Sequence, residues 1–172
     1  MAEKKCSDKK QTSDHSPGAD AGPILVPVDF SPHSEAALLT AADLATCFGA
    51  HLLVLHVVHD PERMPGYYAR MAKKKTLARM EDVAGEMLDA FLAKLREAHP
   101  DNKELRQAES ILVSGLPVTR ILQLAEKRRA RLVVMGSKGV TGLRHLLLGS
   151  VAEQVVHLAQ MPVTIVKARS KD

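Results

Sequence analysis

Three glycines and a serine, Gly136, Gly139, Gly149 and Ser150, have the spacing most suited to chemistry in this chain. They lie in the segment GSKGVTGLRHLLLGS, between an apolar run RLVVM (Arg131 to Met135) and a helix-like run SVAEQVVHLA. Glycine has no Cβ, so its backbone can approach a ligand closely and adopt positive φ. A helix start adds N–H groups without intrahelical partners and a partial positive charge, which together attract phosphate. The pattern therefore reads as an anion cradle. It is not a P-loop, which needs Lys and Ser/Thr straight after its second glycine. Nor is it G-x-G-x-x-G, which is tighter and follows the first strand.

A second candidate is Asp29, the acid that closes the strand-like run ILVPVD. It faces the glycine segment only if the first and fourth strands are neighbours. Cys47, His51, His56 and His59 match no zinc spacing, and His56 within an apolar strand reads as a core or rim histidine. Cys6 and Cys47 form no disulfide framework, which points to a reducing compartment. Cys6 reads as a bystander thiol on a polar tail.

The elements that must position these groups alternate in type. Ile24 to Asp29 reads as a strand, with Pro27 marking its exit. Ser31-Pro32 reads as an N-cap and first helical residue, and Gly49 as the C-cap. His51 to Val58 is apolar on both faces, as in a central parallel strand. A long helix is expected over Ala72 to Ala98, stopped by Pro100. Its core stripe is expected to be Leu77, Met80, Val83 or Ala84, Met87, Leu88, Phe91 and Leu95. Glu109 to Ser114, Arg131 to Met135 and Val163 to Lys167 complete five strands. Helices follow Gly115-Leu116-Pro117, as far as about Arg129, and span 150–160. This alternation predicts an open α/β sandwich, a five-stranded parallel sheet with helices on both faces, in order 3-2-1-4-5. Ligands of such sheets bind beyond the carboxyl ends of the strands, where the order reverses.

With 172 residues and 45% hydrophobic content, the chain suits one packed domain. It is expected over residues 23–168, between a polar tail at 1–22 and a short one at 169–172. No apolar stretch resembles a signal peptide or spans a bilayer, so a cytoplasmic protein is expected. The net charge is +4, and the tail's four lysines balance its four acids, so the excess lies in the folded part. Its densest patch is Arg63 to Arg79. With three Phe, two Tyr and no Trp, the chain lacks the stacking platforms of single-strand binders. The patch reads as a solvated helix face, not a nucleic-acid surface.

The run GSKGVTGLRHLLLGSVAEQVVHLAQMPVTIVK resembles the universal stress protein family, in the ATP-binding branch marked by G-x2-G-x9-G-[ST]. VPVDFSPHSEAAL and LLVLHVV fit the same family. The resemblance implies that Asp29 binds the ribose-adenine side of ATP and that Pro27 and Val57 line the adenine pocket. Met135 and Gly136 would close the base and ribose side. Ser137, Gly139, Gly149, Ser150 and Val151 would cradle the phosphates, with Mg2+ or Mn2+ as an expected companion. Ser150 could instead cap its helix. Lys138 stands where the family often has histidine, and either faces the phosphates or points to water. The resemblance also implies a homodimer through Val163 to Lys167. Two functions remain open: an ATP-holding module of the stress response, or a slow ATPase or phosphotransferase at the same site.

Overall fold

The computed structural model of the chain describes residues 22–59, 67–139 and 148–168, with the backbone alone over 67–78. Short apolar runs become β1 (Ile24–Pro27), β2 (Leu52–His59), β3 (Glu109–Gly115), β4 (Leu132–Gly136) and β5 (Val163–Val166). Between them lie α1 (Pro32–Phe48), α2 (Tyr67–Ala98), α3 (Lys103–Gln107), α4 (Pro117–Lys127) and α5 (Ser150–Leu158). All strand pairs are parallel, in the expected order β3-β2-β1-β4-β5.

The period-two geometry of a strand divides the core into two layers. Ile24, Val26, Leu52 and Val54 face α1 and α2, where they meet Leu38, Leu88 and Leu92. Leu25, Leu53, Leu55, Val133 and Met135 face α4 and α5, against Ile121, Ala125, Ala152 and Val155. The central strands are apolar on both sides because each face is covered by helices.

Local chemistry fixes the helix ends. Ser31 caps α1 by accepting from the Ser34 N–H at 3.2 Å, with Pro32 following it. Gly49 closes α1 at φ 60°, a left-handed conformation that suits glycine. At the start of β3, Arg128 forms a two-pronged contact with Glu109 at 2.9 and 2.5 Å. The hydrogen bonds from Arg128 hold the Glu109 carboxyl below its ordinary range.

Several boundaries differ from expectation. β1 ends at Pro27, so Asp29 lies in the turn beyond the strand. α2 begins at Tyr67, and α3, unanticipated, is nucleated by Asn102 accepting from the Leu105 N–H at 3.0 Å. The stripe assigned to α2 is corrected more substantially. Ala84, Leu88, Leu92 and Leu95 are buried, whereas Met80, Val83 and Met87 are 37%, 55% and 48% exposed. Leu77 lies where side chains are not described. Of the basic patch, Arg63 lies outside the described residues, as do the side chains of Arg70 and Lys73 to Lys75; Arg79 is exposed. The tail at 1–21 also lies outside them.

Leu92→Ala should therefore cost about 2–5 kcal/mol in urea unfolding, and Met87→Gln should stay within about 0.5 kcal/mol of wild type. For Glu109, a lowered folded pKa contributes stability present above its ordinary value of 4.5 and lost as pH falls through the folded value. Both side chains are partly exposed, so the contribution is small. Carboxyl-detected NMR should show Glu109 titrating below 4.5 and returning to its ordinary range in Arg128→Ala.

Candidate functional site

The site begins with a missing hydrogen bond. Successive residues of a parallel strand address opposite neighbours. The N–H groups of Ile24 and Val28 donate to β2, at His51 O (3.0 Å) and Leu55 O (2.8 Å). Position 27 thus turns towards β4, and proline has no N–H to offer there. Pairing of β1 with β4 stops at Leu25↔Val133, although pairing with β2 continues to Pro27↔Leu55. On its other side β4 stays paired with β5 as far as Gly136↔Val166. The hydrogen-bonded ladder between these two strands therefore stops before their carboxyl ends, at the point where the strand order reverses.

On one side of this point lies the turn after β1. Phe30 has φ 65°, a conformation that aromatic residues rarely adopt. Its ring is held by stacking on His56 (centroids 4.3 Å apart) and by an edge contact with Phe91 at 5.6 Å. His56 Nδ1 donates to the Val28 carbonyl at 2.8 Å, which also fixes its tautomer. The kink leads directly out of Asp29, whose Oδ1 accepts from the Ser31 N–H at 3.2 Å. The other carboxylate oxygen, Oδ2, faces Gly139: a Cβ built there would stand 2.5 Å from it. The acid and the glycine segment do face each other, and any side chain at 139 would displace the carboxylate.

The opposite wall is organised by Ser137, which is 1% exposed. Its N–H donates to Val166 O at 2.7 Å, its carbonyl accepts from the Gly149 N–H at 2.8 Å, and its hydroxyl lies 3.3 Å from His33 Nδ1. Gly136 is needed for a separate reason. A Cβ there would fall 2.8 Å from the carbonyl carbon and from the Cβ of His33, so α1 could not approach. Gly149 is the N-cap of α5, at φ −75° and ψ 150°, and no side chain caps that helix. Ser150, the first helical residue, is exposed, and it does not make the cap that was one of its two expected roles.

The remaining expected residues distribute by strand parity. Val57 and Met135 belong to the layer facing α4 and α5, as does Val151 at the edge of that layer. Alternation puts Pro27 on the same side as Leu25, and Asp29 lies beyond the strand. Lys138 is half-buried beside Gly139. Residues 140–147 lie outside the described residues. Among the described residues no three His, Cys, Asp or Glu side chains form a group that could hold a metal. Sequence reasoning missed His33 and Phe30, whose contacts are long-range and leave no motif. A separate depression of about 650 Å³, lined in part by Thr46, His99 and Lys103, lies at the other end of the sheet, where α1 and α2 finish.

Residues 21–167 match the model of the universal stress protein family. The chain belongs to that family. A universal stress protein of Methanocaldococcus jannaschii, MJ0577, is 30% identical over 162 residues, covering 86% of this chain and 95% of the relative. The solved structure of MJ0577 superposes with a TM-score of 0.69 at 26% identity, over 87% of this chain and 98% of that one. Other universal stress proteins are longer: the chain spans 47% of Rv2005c from Mycobacterium tuberculosis, at 32% identity over 88% of its own length. Two further solved family members share the fold at 23% identity and a TM-score of 0.52. One is in complex with cAMP, covering 87% of this chain and 99% of that one. The other, from Archaeoglobus fulgidus, is in complex with dAMP, covering 85% and 98%.

The glycines of this universal stress protein should differ in tolerance. Gly136→Ala meets backbone and should cost about 1–3 kcal/mol by denaturant unfolding. A Cβ at Gly149 meets nothing nearer than 3.5 Å at an ordinary φ. Gly149→Ala should therefore stay within about 1 kcal/mol of wild type.

Proposed function

We propose that this universal stress protein binds an adenine nucleotide, in the first instance ATP, in the crevice between the ends of β1 and β4. Its occupancy would then serve as the signal in a stress response. The observation that carries this reading is the opposition of unlike groups across one gap. The Asp29 carboxylate, suited to ribose hydroxyls, faces Gly139 from the β1 side. The start of α5, without a side-chain cap, adjoins the same glycine segment through the Gly149–Ser137 hydrogen bond. A nucleoside phosphate has matching parts in that order: an apolar base, a diol and an anionic tail.

In this arrangement Pro27, Val57 and Met135 supply the apolar wall for the base, with Gly136 beneath the ribose. Gly139, Ser150 and Val151 present backbone to the phosphates, Gly149, whose N–H is held by Ser137, leaves room for their approach, and the Ser150 hydroxyl is available to them. Ser137 holds this set together from the interior. Lys138 adds a positive charge at the rim. The complexes with cAMP and dAMP belong to other proteins of this fold, and they make the scaffold's capacity for adenine nucleotides relevant here. β5 is an edge strand whose four residues are all partly buried, and it is the edge at which we propose two copies meet.

Mass spectrometry of gently purified, denatured protein should release ATP or a related adenine nucleotide. Calorimetric titration should show ATP affinity falling at least about tenfold in Asp29→Ala, which loses a charge-assisted contact, and in Gly149→Ala, which places a methyl where the phosphate would approach. Wild-type protein without co-purified nucleotide and without titratable affinity would remove the proposal. Unchanged affinity in both variants would mean that the nucleotide sits elsewhere.

A further inference from the structure

His33 is not among the residues proposed to contact nucleotide, yet it stands where three otherwise separate pieces of chain converge. It lies in the first turn of α1, and its Nδ1 accepts the Ala168 N–H at 3.0 Å, just beyond the end of β5. A backbone N–H can only donate, so Nδ1 carries the lone pair and Nε2 the proton. The Ser137 hydroxyl lies 3.3 Å from the same Nδ1. Ser137 in turn bonds Val166 O through its N–H and the Gly149 N–H through its carbonyl. One imidazole lone pair therefore connects the chain leaving the edge strand to the residue that seats the cap of α5.

We propose that His33 is a positioning residue for the nucleotide cradle, coupling the exit of β5 to the placement of Gly149 through Ser137. Its importance to binding rests on the role proposed above for Gly149, but the coupling itself does not require a ligand. Two features make His33 suited to the task. Its backbone is wedged against Gly136, where even a methyl would stand 2.8 Å away, so the ring has a fixed origin. Its two partners at Nδ1 come from different elements, so a change at either one is felt by the other. A displacement of β5, the edge strand where a second copy would dock, would thus reach the phosphate end of the site by two hydrogen-bonded routes, one through Val166 and one through Ala168. Removing the imidazole leaves the Val166 route in place and abolishes the other.

The test compares wild type, His33→Ala and His33→Asn by amide hydrogen exchange without nucleotide, and by ATP titration. Asparagine restores an acceptor close to the position of Nδ1, whereas alanine removes it. Exchange should accelerate at both Ala168 and Gly149 in His33→Ala and return towards wild type in His33→Asn. ATP affinity should fall roughly 2- to 10-fold in the alanine variant, the range of one hydrogen bond, and recover in the asparagine variant. Faster exchange at Ala168 with Gly149 unchanged would overturn the coupling, because His33 would then pin only the chain end. Equal losses in both variants would overturn it too, since an acceptor would not be what matters. If wild type binds no ATP, the nucleotide reading fails while the exchange data still decide the coupling. Should His33→Ala fail to fold, exchange at the Gly149 amide in Ser137→Ala decides the matter, because that change removes the shared hydroxyl and keeps both backbone bonds. Faster exchange there would support the coupling, and unchanged exchange would overturn it.

Discussion

The site depends on a hydrogen bond that β1 cannot make. A parallel sheet joins its central strands along their length unless a donor is missing, and the position that turns to β4 near the end of β1 is Pro27. Beyond that point the chain keeps a bond to β2, from the Val28 N–H to Leu55 O, and then kinks at Phe30. Asp29, just before that kink, lies beyond the strand with its carboxylate against Gly139. The strain of a positive φ at an aromatic residue is held by rings on the α1–α2 side, where Phe30, His56 and Phe91 pack together. The acid is thus followed directly in the chain by a residue anchored in a ring cluster with His56 of β2 and Phe91 of α2.

The β4 wall is organised in the reverse manner, by polar groups turned inward. Ser137 is buried with every hydrogen-bonding group directed at another element: β5, α5 and the first turn of α1. A buried polar junction is stabilising only when its members are satisfied, and this one is. Its effect is to fix the relative placement of β4, β5 and the start of α5, and it uses the Gly149 N–H to do so. The glycines themselves divide the labour. Gly136 admits α1, Gly139 admits the Asp29 carboxylate, and Gly149 is in a conformation open to other residues. A requirement for glycine at 149 therefore calls for a reason outside the folded chain, and a close phosphate is the reason proposed.

Much of this was legible in the sequence because it is local or periodic. Strand–helix alternation led to the five-stranded parallel sheet, the proline in ILVPVD marked the end of β1, and Ser31, Pro32 and Gly49 marked the ends of α1. What was not legible depends on contacts far apart in the chain. α2 carries two overlapping apolar stripes, Met80-Val83-Met87 and Ala84-Leu88-Leu92-Leu95, offset by one residue or about 100° around the helix. Periodicity cannot choose between them; the sheet does. α3 has five residues, too few to show a period, and its Asn102 cap was its main signal. His33 bonds a residue 135 positions away, and nothing in its surroundings along the chain announces that.

The central claim is one of place: an adenine nucleotide belongs where the β1–β4 ladder ends. The most direct measurement is an amide NMR titration with ATP, followed residue by residue. Binding in that crevice predicts that the largest shifts cluster at Val28 to Phe30, at Met135 to Gly139 and at Gly149 to Ala152, with little change at the far end of the sheet. Shifts centred instead on the depression near Thr46, His99 and Lys103, with the Asp29 and Gly149 amides unmoved at saturation, would contradict it.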